Sequence, residues 1–173
     1  MSSKYPHPAC FELDTLLLDC EFQRTRSFGP GGQHRNKVES AVVVTHLPTG
    51  ISGQASERRS QHENRRKSIA RLRINLALGY RLPIDESLRL SPSAEWGRRT
   101  AGGQIHVNIR HEDFPAMLAE ALDVIHARQF DASEAAKVLC CSSSQLIKLL
   151  RKEPAAITFV NRERDKLGLK KYR

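Results

Sequence analysis

The chain has 173 residues, a net charge of +9, 39% apolar and 27% charged residues, and a pI near 9.8. That balance excludes a disordered polyelectrolyte and a disulfide-stapled miniprotein, and the length suits one domain, or one compact domain plus a small helical one. No apolar stretch approaches the length of a membrane span. The charge surplus is local: residues 24 to 81 hold twelve Lys or Arg against three acids (Glu39, Glu57, Glu63), and the remainder balances to zero. A surplus confined to one segment points to a polyanionic partner.

The four cysteines, Cys10, Cys20, Cys140 and Cys141, form no CxxC or His-spaced zinc pattern, and reduced, buried thiols are expected. The N-terminal segment carries Glu12, Asp14, Asp19 and Glu21, unlike a transit peptide, and lacks the apolar run of a signal peptide. A cytoplasmic monomer is the expectation.

In chain order, Asp14 is expected to cap a short helix reaching about Cys20, and Cys20 to Arg26 alternates weakly as a strand. Residues 27 to 37, SFGPGGQHRNK, form a glycine-rich basic stretch. Ser40 to Leu47 is β-branched and continuous, Pro48-Thr49-Gly50 is turn chemistry, and Ile51 to Ala55 returns as the second arm of a hairpin. A long helix is predicted from an N-cap at Ser56 to about Leu78, stopped by Gly79. Its first half, ERRSQHENRRKS, has no apolar residue and is expected to face solvent or a polyanion. In its second half Ile69, Leu72 and Leu76 share a face that packs on the sheet.

Residues 82 to 103 read as loop. Ile105 to Ile109 alternates as a strand, and Asp113 is expected to cap a helix running from Phe114 to about Gln129 with Met117, Leu118, Ala121, Leu122 and Ile125 on its apolar face. Ser133 to Leu139 and Ser143 to Arg151 resemble a helix-turn-helix, followed by a basic tail, RERDKLGLKKYR. The helix pair either packs through Ala135, Leu139, Leu146 and Leu149, the favoured alternative, or binds nucleic acid through Lys148, Arg151 and Lys152. The fold class is therefore α+β: a small, mainly antiparallel sheet on a long helix, then a small helical, helix-turn-helix-like C-terminal domain. The division is expected at 1–112 and 113–173.

Two successive glycines put a thin backbone with positive-φ freedom at a loop tip. A glutamine amide has no useful pKa, so it is no general base, but it can orient a water or stabilise an oxyanion. The tripeptide Gly-Gly-Gln occurs at 31–33 and at 102–104. The second copy lacks the flanks of the first, leads directly into IHVNI, and is expected to be a turn before a strand.

The stretch RSFGPGGQHRNKVESAVVVTHLPTGI, Arg26 to Ile51, together with ERRSQHENRRK, Glu57 to Lys67, resembles the catalytic domain of class I peptide chain release factors. The resemblance covers roughly residues 12 to 80. It implies that Gly31, Gly32 and Gln33 form the loop that enters the peptidyl transferase centre of the large ribosomal subunit and sets water against the peptidyl-tRNA ester. In the family the glutamine backbone N–H helps to stabilise the oxyanion, and its side chain favours water over bulkier nucleophiles. Ribosomal RNA and the terminal ribose hydroxyl of the transfer RNA supply much of the rest. The match also implies ribosomal RNA contact by Arg26, His34, Arg35, Lys37, Arg58, Arg59, Arg65, Arg66 and Lys67, with Asn36 bracing the loop.

Phe28 stands where a Ser is common. Pro30 stands where many stop-codon-reading factors have Ala, and in this the chain resembles the short ribosome-rescue hydrolases. At this length, and without the family's codon-recognition motif, the chain is not expected to read stop codons by itself. Expected partners are large-subunit ribosomal RNA and peptidyl-tRNA, with no membrane. His34, His46 and His62 lack metal-ligand spacing, so no metal or cofactor is expected. The expected function is codon-independent hydrolysis of peptidyl-tRNA on stalled ribosomes. One alternative keeps the chemistry but needs a damaged ribosome or a partner factor. Another, of a different class, is a non-catalytic nucleic-acid-binding module using the helix pair.

Overall fold

The computed structural model describes residues 7–25, 41–82 and 92–173. They form two compact units: Phe11–Tyr80, the sheet unit, and Met1–Cys10 with Arg81–Arg173, the helical unit. Their secondary structure confirms the α+β expectation, a small antiparallel sheet on a long helix and then a run of helices.

In the sheet unit a short helix α1 (Leu13–Leu18) leads into β1 (Cys20–Thr25), β2 (Ala41–His46) and β3 (Ile51–Ala55), all antiparallel in the order β1-β2-β3. Val42, Val44 and His46 of β2 and Gly53 and Ala55 of β3 are buried, while Ser52 and Gln54 are exposed. Period-two alternation thus puts one face of the sheet against α2 (Gln61–Gly79) and leaves the other open to water. From α2 the stripe Asn64, Ser68, Leu72 and Leu76, four residues apart, is buried with Ile69 and Ala77. Burying Leu72 and Leu76 contributes roughly 1.5–3 kcal/mol each.

The helix lies unusually close to the sheet at Gly53. A Cβ there would fall 2.2 Å from the Ser68 carbonyl oxygen and 2.4 Å from the Leu72 nitrogen, so helix backbone occupies the space of a side chain. At β3, an edge strand of the sheet among the described residues, two helix side chains donate to strand carbonyls: Arg71 Nη1 to Gln54 O at 2.7 Å and Asn75 Nδ2 to Ser52 O at 2.7 Å. These i, i+4 donors satisfy edge groups that could otherwise template another strand.

In the helical unit α4 (Phe114–Ala127) is buried at every residue from Phe114 to Ile125. A helix apolar on nearly all sides is a core element: α3 (Ala94–Arg99), α5 (Ala132–Val138) and α6 (Ser143–Arg151) pack on it, and α7 (Pro154–Lys166) packs on α6. Two buried acids of α4 tie down what precedes it. Asp123 accepts from Arg81 Nη1 at 3.0 Å and Leu82 N at 3.3 Å, and Glu120 accepts from the Ser93 backbone and hydroxyl. Each buried carboxylate is matched by donors, as burial of charge requires. Trp96, fully buried, donates its indole N–H to Leu139 O at 2.8 Å.

Several elements differ from the sequence expectation. Helix α2 starts at Gln61, capped by Ser60, whose hydroxyl accepts from Glu63 N at 3.3 Å, and not at Ser56. Ser60-x-x-Glu63 is a capping-box sequence hidden among the neighbouring serines. Helix α1 begins at Leu13, so Asp14 lies in its first turn and is not its cap. Residues 94–99, expected as loop, are α3 with Ser93 as cap. Of the strand expected at 105–109 only Ile105 pairs, with Gln104 before it, as β5 (Gln104–Ile105) against β4 (Thr100–Ala101). Helix α4 ends at Ala127, and Asp113 makes no side-chain cap, because its carboxylate takes the Arg99 Nε–H at 2.7 Å.

Helix α7 was not anticipated, and it absorbs the start of the expected basic tail. The rest of that tail folds back. Tyr172 exchanges two hydrogen bonds with the Asn161 side chain, its hydroxyl donates to Phe130 O, and it accepts from Ala132 N. The four cysteines are free thiols, as expected, but none is fully buried, and Cys140 is exposed. Among the described residues no helix is long and apolar enough to cross a membrane.

Gly53→Ala should lower the unfolding free energy of the protein by roughly 1–3 kcal/mol, the cost typical of overpacking. Gly97→Ala in α3, where an added Cβ meets nothing within 4 Å, should be neutral or stabilising. Urea unfolding followed by circular dichroism checks both, and equal effects would contradict the close approach.

Candidate functional site

The stretch that carries the first Gly-Gly-Gln joins β1 to β2. Arg26, Gly31, Gly32, Gln33, His34, Arg35, Asn36 and Lys37 lie outside the described residues. What is described is the base from which they spring. Thr25 pairs with Ala41, so the two strand ends that bound residues 26–40 sit side by side, and the register continues through Val42 opposite Arg24 and Val44 opposite Phe22. Paired antiparallel residues have Cα atoms roughly 4.5–5.5 Å apart, so the stretch leaves and re-enters the sheet at neighbouring points.

The far end of the same hairpin pair is the His46-to-Gly50 turn. Gly50 N donates to His46 O at 2.9 Å, and the Thr49 hydroxyl lies 2.9 Å from His46 Nδ1 and accepts from Ile51 N. His46 is 2% exposed, and burial pushes its pKa down, opposed by the Asp19 carboxylate. This histidine is a neutral brace of the turn.

The described basic candidates fall on the β3–α2 connection and the first turns of α2. Arg58, Arg59, Arg65 and Arg66 are exposed, and Lys67 is half-buried. The first half of α2 is therefore not uniformly solvated. Its inner edge is a buried polar stripe, Asn64 and Ser68, and Ser68 Oγ donates to Arg65 O at 2.9 Å. Asn64 is fully buried and its amide closes on the backbone of Arg58: Nδ2 donates to the Arg58 carbonyl at 2.8 Å, and Oδ1 accepts the Arg58 N–H at 3.0 Å. The guanidinium of Arg65 lies 4.3 Å from the centroid of the Phe22 ring on β1. Asn64 lies within the ERRSQHENRRK motif, whose polar composition does not distinguish this buried brace from its exposed neighbours. The available signal was a lone Asn four residues before Ser68 on the face that later carries Leu72 and Leu76.

Arg71, beside this surface, is engaged. It pairs with Glu57, and with the backbone N–H groups of Glu57 and Ser56 it holds the Glu57 carboxyl down to about 2. It thereby ties the 56–60 connection to α2.

The second Gly-Gly-Gln is, as expected, a turn. Gly102 and Gly103 have φ of +56° and +74°, both central residues of a two-residue hairpin between β4 and β5. Positive φ at both positions is the reason for two glycines there. The Gly103 carbonyl accepts from Ser142 N at 3.1 Å, at the start of α6.

The helix pair α5–α6 is a packing unit: Ala135, Leu139, Leu146 and Leu149 are all buried. Cys140 stands at φ +52° in the turn between the helices. Lys148 and Arg151 are exposed, whereas Lys152 is half-buried and donates to the Val107 carbonyl. Among the described residues no three His, Cys, Asp or Glu side chains come together in a group that could hold a metal ion.

The described part is a three-stranded antiparallel sheet backed by one long helix, with the Gly-Gly-Gln stretch lying in sequence between the paired strand ends and exposed cations at the helix start. The profile of the RF-1 domain family matches residues 16–117. The chain is 36% identical over 110 residues to peptide chain release factor 1 of Geobacter metallireducens, covering 64% of this chain and 30% of that protein. It is 46% identical over 70 residues to peptide chain release factor 1 of Xylella fastidiosa, covering 40% and 17%. It is 36% identical over 110 residues to the same factor of Dictyoglomus thermophilum, covering 62% and 29%. The chain belongs to the class I peptide chain release factor family, and its matched part is that family's RF-1 domain. The matched part spans less than a third of the length of those relatives.

The Glu57 carboxyl, ordinarily near 4.5, is held at about 2. A group whose folded pKa is depressed stabilises above its unfolded pKa, and that stabilisation is lost as pH falls through the folded value. Because the pair is half exposed, the contribution should be no more than about 1 kcal/mol. Glu57→Gln should therefore lower the urea midpoint slightly at pH 6 and match the wild type near pH 2. A constant difference between the two proteins across this range would contradict the pairing.

Proposed function

We propose that this protein hydrolyses the ester of peptidyl-tRNA on the ribosome, and does so without reading a codon. The observation that carries the proposal is the family match across residues 16–117, which spans Gly31-Gly32-Gln33 and the sheet from which that stretch leaves. The reaction adds water to the ester carbonyl carbon and breaks its bond to the ribose oxygen, which leaves with a proton. By resemblance to the family, the backbone N–H of Gln33 stabilises the oxyanion and its side chain admits water. Gly31 and Gly32 keep the loop thin enough to enter. The remaining groups come from ribosomal RNA and the transfer RNA, and no cofactor takes part.

The exposed Arg58, Arg59, Arg65 and Arg66, with Lys67 beside them, support docking on large-subunit ribosomal RNA. Arg26, His34, Arg35 and Lys37 flank the catalytic tripeptide in sequence and take the same role, and Asn36 braces the loop. Phosphate contacts of this kind set position and make binding salt-dependent. Codon independence is supported by Pro30, which resembles the rescue hydrolases. The protein acts as a cytoplasmic monomer.

The test is release of a labelled peptide from ribosomes whose A site is empty, or holds a sense or a stop codon. Equal release from all three is expected. Gln33→Ala should cut the maximal rate by roughly a hundredfold, the scale expected when a nucleophile is misplaced, and Gln104→Ala should leave it unchanged. No release by the wild type, or full activity of Gln33→Ala, would overturn the catalytic proposal. Release confined to stop codons would overturn its codon independence.

A further inference from the structure

A cationic surface binds a polyanion more tightly when its charges are held in place beforehand, because less side-chain and loop freedom is lost on contact. Two features of the sheet unit do this to the described cations. The first is Asn64. One buried amide gives an N–H to the Arg58 carbonyl at 2.8 Å and takes the Arg58 N–H at 3.0 Å, and so clamps the residue that carries one cation and precedes another, Arg59. An Asp at this position would offer no donor, and an apolar residue neither group. The second is Phe22. Its ring lies under the Arg65 guanidinium at 4.3 Å. Stacking occupies the face of the guanidinium, whereas its N–H donors lie in the plane and remain directed outward for phosphate.

Asn64 and Arg65 are adjacent on α2, and Phe22 sits on β1 opposite Val44, in the strand that ends at Thr25 where the Gly-Gly-Gln stretch departs. The start of α2 and the strand that leads to Thr25 thus meet through the Arg65–Phe22 contact.

We propose that Asn64 and Phe22 are positioning residues for RNA docking: they hold Arg58, Arg59 and Arg65 in a fixed constellation against phosphates without touching RNA themselves. This rests on the RNA-contact reading of those arginines given above.

The experiment uses the full chain and purified ribosomes with an empty A site. It reads the half-saturating ribosome concentration, the maximal release rate and the salt dependence of binding. Asn64→Ala and Phe22→Leu should each raise the half-saturating concentration by about three- to tenfold, the equivalent of a lost stacking or ordering interaction. The maximal rate should hold, and so should the salt slope, because the number of cations is unchanged. Arg58→Ala with Arg59→Ala should weaken binding and flatten the slope. Adding Asn64→Ala to that double variant should cost nothing further, and Phe22→Leu should likewise add nothing to Arg65→Ala.

Thermal unfolding confirms that each variant is folded at the assay temperature. Should Asn64→Ala prove unfolded there, the Phe22–Arg65 cycle alone decides. Cation variants that weaken binding, combined with full additivity in both cycles, would overturn the positioning inference by itself. Cation variants without any effect would overturn the RNA-contact reading, and the inference with it.

Discussion

The structure of the sheet unit depends on one close approach, helix backbone against strand backbone at Gly53. With no side chain at that point, α2 settles within van der Waals distance of β3, and Ser68 and Leu72 meet the strand directly. That depth decides the rest. It lets Arg71 and Asn75 reach over the edge and donate to Gln54 and Ser52, and it brings Arg65 onto Phe22 two strands away. It also seats Asn64 deep enough to lose all contact with water, which makes hydrogen bonding to Arg58 obligatory.

The helical unit solves a different problem. Its centre is a helix buried on all sides, yet that helix carries Glu120 and Asp123. Their positions one turn apart turn a liability into two fastenings, one for residues 81–82 and one for Ser93. Removing the donors would leave an uncompensated charge in a dry core, a far larger loss than a surface ion pair represents. Ser93 links this fastening to the next element, since its hydroxyl also accepts from Trp96 N at the start of α3. Arg164, largely buried, does the same work for the C-terminus, where it donates to Lys170 O and to the Tyr172 hydroxyl.

The distribution of charge follows from these arrangements. In the helical unit several cations are matched by acids: Lys137 with Glu134, and Arg162 and Lys166 with Glu163, within their own helices, and Arg99 at the end of α3 with Asp113 before α4. In the sheet unit Arg71 is matched by Glu57, while the cations at the start of α2 face outward. Cations left facing outward in this way are the ones a polyanion could neutralise.

The amino-acid sequence by itself determined what depends on local pattern. Continuous β-branched residues at 41–46 make a strand, Leu72 and Leu76 face inward at helical spacing, and Gly102-Gly103 turns a hairpin because two left-handed residues are needed there. The family was legible too, from the order of motifs between Arg26 and Lys67. The tertiary structure alone decided which of several serines caps α2, that residues 94–99 are helical, and that the basic tail is pinned by Tyr172. It alone showed that Asn64 is a buried brace and not one more polar residue on a solvated face. The reason is physical. Periodicity reports which side of an element is apolar, whereas a cap, a buried amide or a docked tail depends on which particular donor meets which acceptor. For Ser60 and Asn64 the partners are near in sequence, at Glu63 and Arg58, but the choice among several candidates is made by how deeply the helix sits; for Tyr172 the partners at 130–132 are distant in the chain.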